Sequence, residues 1–253
     1  MKKIIIPGVL ILLMLTGWAG GLRAQDAMAL LEKMDALMNA PKDKEATVEM
    51  ILTKKNDKEK TRIAEMYQKG VDMRLYRYTQ PESQAGIATL SLPGDVMWLY
   101  LPAFGLPTKI SMLAKNQAFT GTDMSYEDMD TKPYSKRFTP KLVETTSDAY
   151  VLELTPDYDK SDYSKLILTL DKTNFYPQKI DYYDKRGNKV KEADYQYAKS
   201  GKYWYAKEVK MTDLKKDHST QIIMKDIKFD QGLSDDIFTV DNLKSKKKSD
   251  SDK

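Results

Sequence analysis

Apolar and polar residues follow two rhythms along this chain. Over residues 26–39 the apolar side chains recur at helical spacing. Ala27, Leu30, Leu31, Met34, Leu37 and Met38 fall on one stripe, with Glu32, Lys33 and Asp35 off it. The pattern predicts one long helix, with Asp26 placed to cap its start and Pro41 just past its end. A helix of this length is marginal alone in water, so packing must hold its stripe.

After Pro41 the period becomes two. In 46–53, Ala46, Val48, Met50 and Leu52 point one way and Thr47, Glu49 and Thr53 the other. Strand-like runs follow at 61–69, 71–78, 87–92, 95–101 and 108–113, then weakly at 137–146. In 71–78, Val71, Met73 and Leu75 oppose Asp72, Arg74 and Tyr76. The series resumes at 150–155, 165–170, 178–184, 190–197, 203–212 and 220–229, with polar turns between. Short strands joined by hairpin-sized turns predict one large antiparallel sheet of about ten or eleven strands. No helix-length segment separates them, which argues against βαβ units and a nucleotide-binding α/β fold. No repeat or linker divides the body, which reads as one domain over 25–243.

The segment 94–130 stands apart. Val96, Met97, Trp98, Leu99, Tyr100 and Leu101 are apolar on both sides of the alternation, and the run stops at Pro102. A strand of this kind expects cover on both faces, which places it in the middle of the sheet. A glycine-containing turn at 121–123 and an acidic helical turn at 125–129 follow. A wide antiparallel sheet with one apolar face must be covered, and only one long helix and short turns at 123–128 and 234–238 are available. The predicted fold is therefore mainly β (α+β). It is a curved, open antiparallel half-barrel plugged by the N-terminal helix and short helices.

Composition narrows the setting. Residues 1–24 have the layout of a cleavable signal peptide: Lys2 and Lys3, an apolar run over 4–15, and Leu22-Arg23-Ala24 as a small-residue site. That run is short for a membrane span, which needs roughly 20 residues. The chain has no cysteine, which fits a periplasm and rules out a disulfide scaffold. Of the net charge of +4, the leader carries +3 and the tail 244–253 another +3, so the body is at −2. A nucleic-acid binder would carry its basic charge on the folded surface, so none is expected as a partner. The tail KSKKKSDSDK reads as a disordered basic end.

Candidate chemistry is sparse. His218 is the one histidine, at the edge of a polar turn, and no G-x-S-x-G elbow accompanies it. One histidine without cysteine makes no zinc pattern, and no phosphate-cradling glycine loop occurs. Asp157, Asp159 and Asp162 lack the loop glycine and closing glutamate of a calcium hand, and read better as a solvated hairpin. Asp123, Glu127 and Asp128 are spaced as paired carboxylates could be, but Asp123 and Ser125 are natural caps of a short helix start. No enzyme, metal or cofactor is expected. A hydrolase on Asp123, Glu127 or His218 is the residual catalytic alternative. Methionines at core positions, Met28, Met34, Met38, Met50, Met73 and Met97, are ordinary core residues that also suit variable apolar ligands. Charged outward positions such as Lys189, Lys191 and Glu192 argue against an outer-membrane barrel.

DVMWLYLPAF, then a strand, then AFTGTDMSYEDM, resembles the signature of the LolA-like outer-membrane lipoprotein-sorting proteins. In that family a W-x-Y-x-P strand end precedes F-x-G-[ST]-D-[FM]-[ST]-Y-E-D. The matching residues are Trp98, Tyr100, Pro102, Phe119, Gly121, Thr122, Asp123, Met124, Ser125, Tyr126, Glu127 and Asp128. Family members often carry basic residues after the first element, where this chain has the apolar loop Ala103-Phe104-Gly105-Leu106-Pro107. The resemblance implies the half-barrel with helices in its mouth and a monomeric periplasmic carrier that shields lipid or lipoprotein acyl chains. An inner-membrane exporter and an outer-membrane acceptor would be its partners. Met34, Met38, Met50, Leu52, Met73, Leu75, Trp98, Tyr100, Leu166 and Leu168 are expected to line the cavity. Pro102, Phe119, Gly121, Asp123, Tyr126, Glu127 and Asp128 are expected at its mouth. The alternative is an envelope protein-interaction or sensor module on the same fold.

Overall fold

A computed structural model describes residues 19–111 and 117–244. The helix α1 spans Ala19–Met38 and so begins before the predicted start. Asp26 therefore lies inside the helix and does not cap it. The expected stripe is present: Ala27, Leu31 and Met34 are fully buried, and Leu30, Leu37 and Met38 half-buried. Of the leader expected over 1–24, only 19–24 are described, as the first turns of α1; of the tail, only Lys244 is.

Two meanders follow. The first runs through β1 (Asp43–Lys54), β2 (Lys60–Lys69), β3 (Met73–Gln80), β4 (Ala88–Leu92), β5 (Val96–Tyr100) and β6 (Thr108–Ile110). The second begins with β7 (Phe138–Thr145), β8 (Ala149–Pro156), β9 (Tyr163–Asp171) and β10 (Pro177–Asp184). It ends with β11 (Lys189–Ser200), β12 (Tyr203–Asp213) and β13 (His218–Phe229). All thirteen join one antiparallel sheet in the order β6-β5-β4-β3-β2-β1-β13-β12-β11-β10-β9-β8-β7. The fold is an open half-barrel with α1 on it. Thirteen strands among the described residues exceed the expected ten or eleven, and each falls on one of the thirteen strand-like runs of the sequence; β6 and the weakly alternating β7 are the two edges, where one side of the strand has no partner to select its residues.

The middle of the sheet is the β1–β13 pair, and β5 and β6 lie at one edge. The expectation that 94–130 forms the centre is therefore wrong, although its reason was sound. β5 is covered on both faces. Met97 packs into the main core with Tyr76 and Tyr78, whereas Trp98 and Tyr100 pack on the opposite face with Leu75, Ala88 and Leu90. Burial on both faces does not require a central strand, because an edge can be wrapped.

The wrapping is done by the segment after β13. Its start is pinned by the Asp43 carboxylate, which accepts the N–H groups of Gln231, Gly232 and Leu233 at 2.7, 2.8 and 3.1 Å. Lys69 donates to the Leu233 carbonyl at 2.8 Å. A 3₁₀ turn over Asp235–Phe238, capped by Ser234, and another over Asp241–Lys244 lay Phe238 and Leu243 on the outer face of β3–β5.

The main core fills the concave side. Val48, Met50 and Leu52 of β1, Ala64 and Met66 of β2, Leu152 and Leu154 of β8, and Leu166 and Leu168 of β9 face the same interior as α1. α1 lies against β7 and the 3₁₀ turn Tyr134–Lys136. The Asp35 carboxylate caps that turn, accepting the N–H groups of Tyr134 and Ser135 at 3.0 and 2.8 Å. The position that looked like an outward polar residue is thus 7% exposed and ties the helix down.

Phe238→Ala should destabilise the protein by about 3 kcal/mol, the usual cost of emptying a buried aromatic site. Urea denaturation checks this, with Trp98 in the same cluster as the local fluorescence reporter.

Candidate functional site

Because β6 and β7 are opposite edges, the chain between them must cross the open side. Its described part starts at Gln117. It makes a small hairpin: Ala118 bridges Ser125, and Phe119 N–H donates to the Met124 carbonyl at 2.7 Å. Gly121 supplies the positive φ (+79°) that the reversal needs. From this strap, Phe119, Met124 and Tyr126 project into the core at 2, 5 and 5% exposure. Phe119 stacks edge-on with Tyr76 and with Tyr126, at 5.9 and 5.4 Å between centroids.

Polar contacts fix the strap to both walls. On one side, Arg62 donates to the Thr120 carbonyl, and the Tyr78 and Thr120 hydroxyls pair. Asp123 and Thr220 are doubly joined, Oγ1 to Oδ2 at 2.7 Å and N–H to Oγ1 at 3.0 Å. On the other side, the buried Glu127 carboxylate accepts from the Tyr158 hydroxyl and from Ser161 Oγ at 2.6 Å. Asp128 accepts from Tyr163 at 2.9 Å and Lys191 at 3.2 Å. Burial, reinforced by the adjacent carboxylates, pushes the Tyr158 and Tyr163 phenols up, so both stay protonated donors. Arg137 donates to the Glu127 carbonyl at 2.9 Å and stacks over Phe138. Burial opposes its charge, but Asp130, Tyr134, Tyr158 and Glu127 outweigh that and raise its pKa.

These contacts settle the chemistry of the acidic turn. Ser125 and Asp128 cap each other reciprocally: Ser125 N–H donates to Asp128 at 2.7 Å, and Asp128 N–H to Ser125 Oγ at 3.1 Å. Residues 125–129 form a single turn, not a helix. Asp123 does not cap it; its carboxylate is committed to Thr220 and stands 3.7 Å from His218 Nδ1. Asp157 accepts from Thr139 at 2.6 Å. Among the described residues, no three acidic or histidine side chains converge as metal ligands.

Beside the C-terminal end of α1 the concave side opens into a cavity of about 160 Å³. Met38, Met66, Tyr76, Tyr176, Tyr195 and Met224 give it an apolar, aromatic lining. At its rim, Lys44 of β1 is in register with Gln68 of β2, and Gln68 with Arg74 of β3. Each sits at the inward phase of its strand, in step with Ala46, Met66 and Tyr76. Arg74 Nε donates to Gln68 Oε1 at 2.9 Å. Burial, with Arg74 nearby, lowers the Lys44 ammonium to about 7. A polar residue at a core phase is the signal that sequence reading passed over.

The expected lining residues divide between two clusters. Met34, Met38, Met50, Leu52, Leu166 and Leu168 share the concave core. Met73, Leu75, Trp98 and Tyr100 do not join them; they lie on the outer face under the C-terminal segment. In β5 both faces are apolar, so sequence alone does not choose the inner one; in β3 the more apolar phase, Met73 and Leu75, is the outer one, and the phase of Arg74, Tyr76 and Tyr78 faces the core. Of the expected mouth residues, Phe119, Gly121, Asp123, Tyr126, Glu127 and Asp128 all belong to the strap, whereas Pro102 is exposed on the β5–β6 hairpin.

A family model described as "-like: Uncharacterized protein" matches residues 70–245. No curated protein matches the chain by sequence. Three solved structures are similar over nearly their whole lengths. A domain described as a candidate outer membrane lipoprotein-sorting protein from Vibrio parahaemolyticus is 29% identical. That match covers 88% of this chain and 100% of its own, with a TM-score of 0.82. A DUF1329 family protein from Desulfovibrio piger is 26% identical, covering 87% and 99%, with a TM-score of 0.80. A LolA superfamily protein from Nitrosomonas europaea is 25% identical, covering 85% and 98%, with a TM-score of 0.72.

Two outcomes follow from the site. Glu127→Ala should cost about 3 kcal/mol in chemical denaturation, since it strands the buried Ser161 hydroxyl and the half-buried Tyr158 hydroxyl. For Lys44, the folded pKa lies below the unfolded one. The unfolded chain then binds more protons between about pH 7 and the ordinary lysine value of 10.5, and stability rises with pH across that window. Melting curves of Lys44→Met against the parent should show this rise reduced in the variant.

Proposed function

The chain belongs to the LolA-like family of outer-membrane lipoprotein-sorting proteins, and from that premise we propose that it is a periplasmic carrier for lipid or lipoprotein acyl chains. The observation that carries this reading is the cover of the concave face, which is a strap and a helix instead of a second sheet. Such a cover can part without breaking a strand pairing.

The energetics suit a reversible carrier. Each methylene moved from water into an apolar core contributes about 0.8 kcal/mol, so a long acyl chain gains on the order of 10 kcal/mol gross. The open cavity is about 160 Å³, below the roughly 300–1,000 Å³ of ordinary ligand pockets. Loading must therefore displace Phe119, Met124 and Tyr126, and the cost of exposing them offsets part of the gain. No catalytic group takes part. The leader would direct export, an inner-membrane exporter would load the protein, and an outer-membrane acceptor would unload it.

A second reading rests on a different observation. Phe104 and Leu106, at the tip of the β5–β6 hairpin, are 76 and 68% exposed. Two such side chains on one tip suit a module that docks an envelope protein without moving lipid. Delipidated protein that still retains a specific protein partner would favour it.

The carrier reading is tested with a lockable strap. The chain has no cysteine, so Asp123→Cys with Thr220→Cys introduces a unique pair where side-chain oxygens now lie 2.7 Å apart. The reduced form should take up a fluorescent fatty-acyl probe, and the oxidised form should not. Uptake by neither form, together with no lipid in native mass spectra of periplasmic protein, would overturn the carrier.

A further inference from the structure

The cavity beside the end of α1 has an unusual balance of groups. Its walls are apolar and aromatic, yet Lys44 and Arg74 stand at its rim, and none of its lining residues is acidic. Among the described residues neither cation makes an ion pair, although lysines elsewhere on the sheet pair freely: Lys165 with Glu153 at 2.7 Å and Lys189 with Glu192 at 2.6 Å. Two cations on the strands either side of β2, at a half-buried rim, repel each other and lose hydration. Gln68, 3% exposed, holds Arg74 in place and brings no charge.

A third polar group lies in the wall of the same cavity. Tyr197 lines the cavity, and its hydroxyl is buried with no hydrogen-bond partner. Buried hydroxyls are almost always paired, so one left open in a cavity wall points to an absent acceptor. Tyr195 stacks on its ring at 6.2 Å between centroids, and Tyr176 packs against it tilted at 4.9 Å, which together fix the ring.

From this arrangement we infer that the carrier takes an anionic amphiphile, with the carboxylate or phosphate of the headgroup bound by Lys44, Arg74 and Tyr197 and the acyl chain running from there beneath the strap. The inference rests on the carrier reading and adds to it the headgroup class and the direction in which the ligand lies. An anion at the rim would relieve the repulsion between the two cations and give the Tyr197 hydroxyl its acceptor. The chain would then pass Met66 and Tyr76 towards Phe119, the first strap residue it must displace.

The test compares ligands of one chain length by displacement of a bound acyl fluorophore: palmitate, a palmitoyl lysophosphatidylglycerol, neutral monopalmitoylglycerol, and inorganic phosphate. The anionic ligands should bind tighter than the neutral one by about tenfold or more, the effect of a charge-assisted hydrogen bond. Whichever anion binds tighter identifies the headgroup as carboxylate or phosphate. Inorganic phosphate, lacking the chain, should compete weakly. Lys44→Met with Arg74→Met should abolish the preference and leave monopalmitoylglycerol binding intact. Tyr197→Phe removes a hydroxyl with no partner in the fold, so it should keep full stability and still reduce the preference severalfold. Equal binding of anionic and neutral ligands, or a preference that survives these substitutions, overturns the headgroup site while leaving the carrier standing. Binding of none of the acyl ligands overturns the carrier itself.

Discussion

One pairing organises the molecule: β1 against β13, the first strand against the last. Each meander is locally determined, since every strand in it pairs with its neighbour in sequence. What joins them is an antiparallel ladder between segments roughly the whole chain apart, with Val48 opposite Met224 and Met50 opposite Ile222. Once that ladder forms, β6 and β7 must be opposite edges, and the chain between them has to pass from one to the other; its described part does so over the concave side. The strap over the concave face is therefore a consequence of topology. Its sequence then determines how firmly it stays.

That sequence combines two kinds of contact with different consequences. Phe119, Met124 and Tyr126 fill the interior, and their attraction is non-directional, so another apolar group could replace them. The contacts of Thr120, Asp123, Glu127 and Asp128 are directional, and losing them leaves buried donors or carboxylates without partners. A strap held only by the first kind would exchange with any lipid; one held only by the second would not open. Polar anchors at both walls, with an apolar middle between them, let the middle yield while an end remains attached.

Much of this was legible in the chain. Alternation identified the inward residues of β1, because Ala46, Val48, Met50 and Leu52 alternate with Thr47, Glu49 and Thr53, with only Ile51 apolar in the outward phase. It failed in β5, where both phases are apolar, and in β3, where the more apolar phase is the outer one, buried by a segment some 150 residues further on. Periodicity says that a face is covered but not by what, which is why β5 looked central and proved to be near an edge. Single polar residues were the hardest to read. Asp35 and Asp43 look like ordinary surface carboxylates, and their partners lie near Tyr134 and Gln231. The Ser125–Asp128 cap was readable because both halves lie within one turn.

The same distinction bears on how a ligand would be oriented. The concave interior is apolar along β1, β2 and β3 until the last inward position of each strand, where Lys44, Gln68 and Arg74 break the pattern together in one cross-strand row. At the opposite end of the same strands the inward contacts are to the strap, through Tyr78 and Arg62. An amphiphile inside the half-barrel thus meets unlike ends: a cationic rim left unneutralised and a covered, displaceable apolar region. Only one orientation puts the headgroup beside Lys44, Arg74 and Tyr197 and the chain against side chains that can move aside.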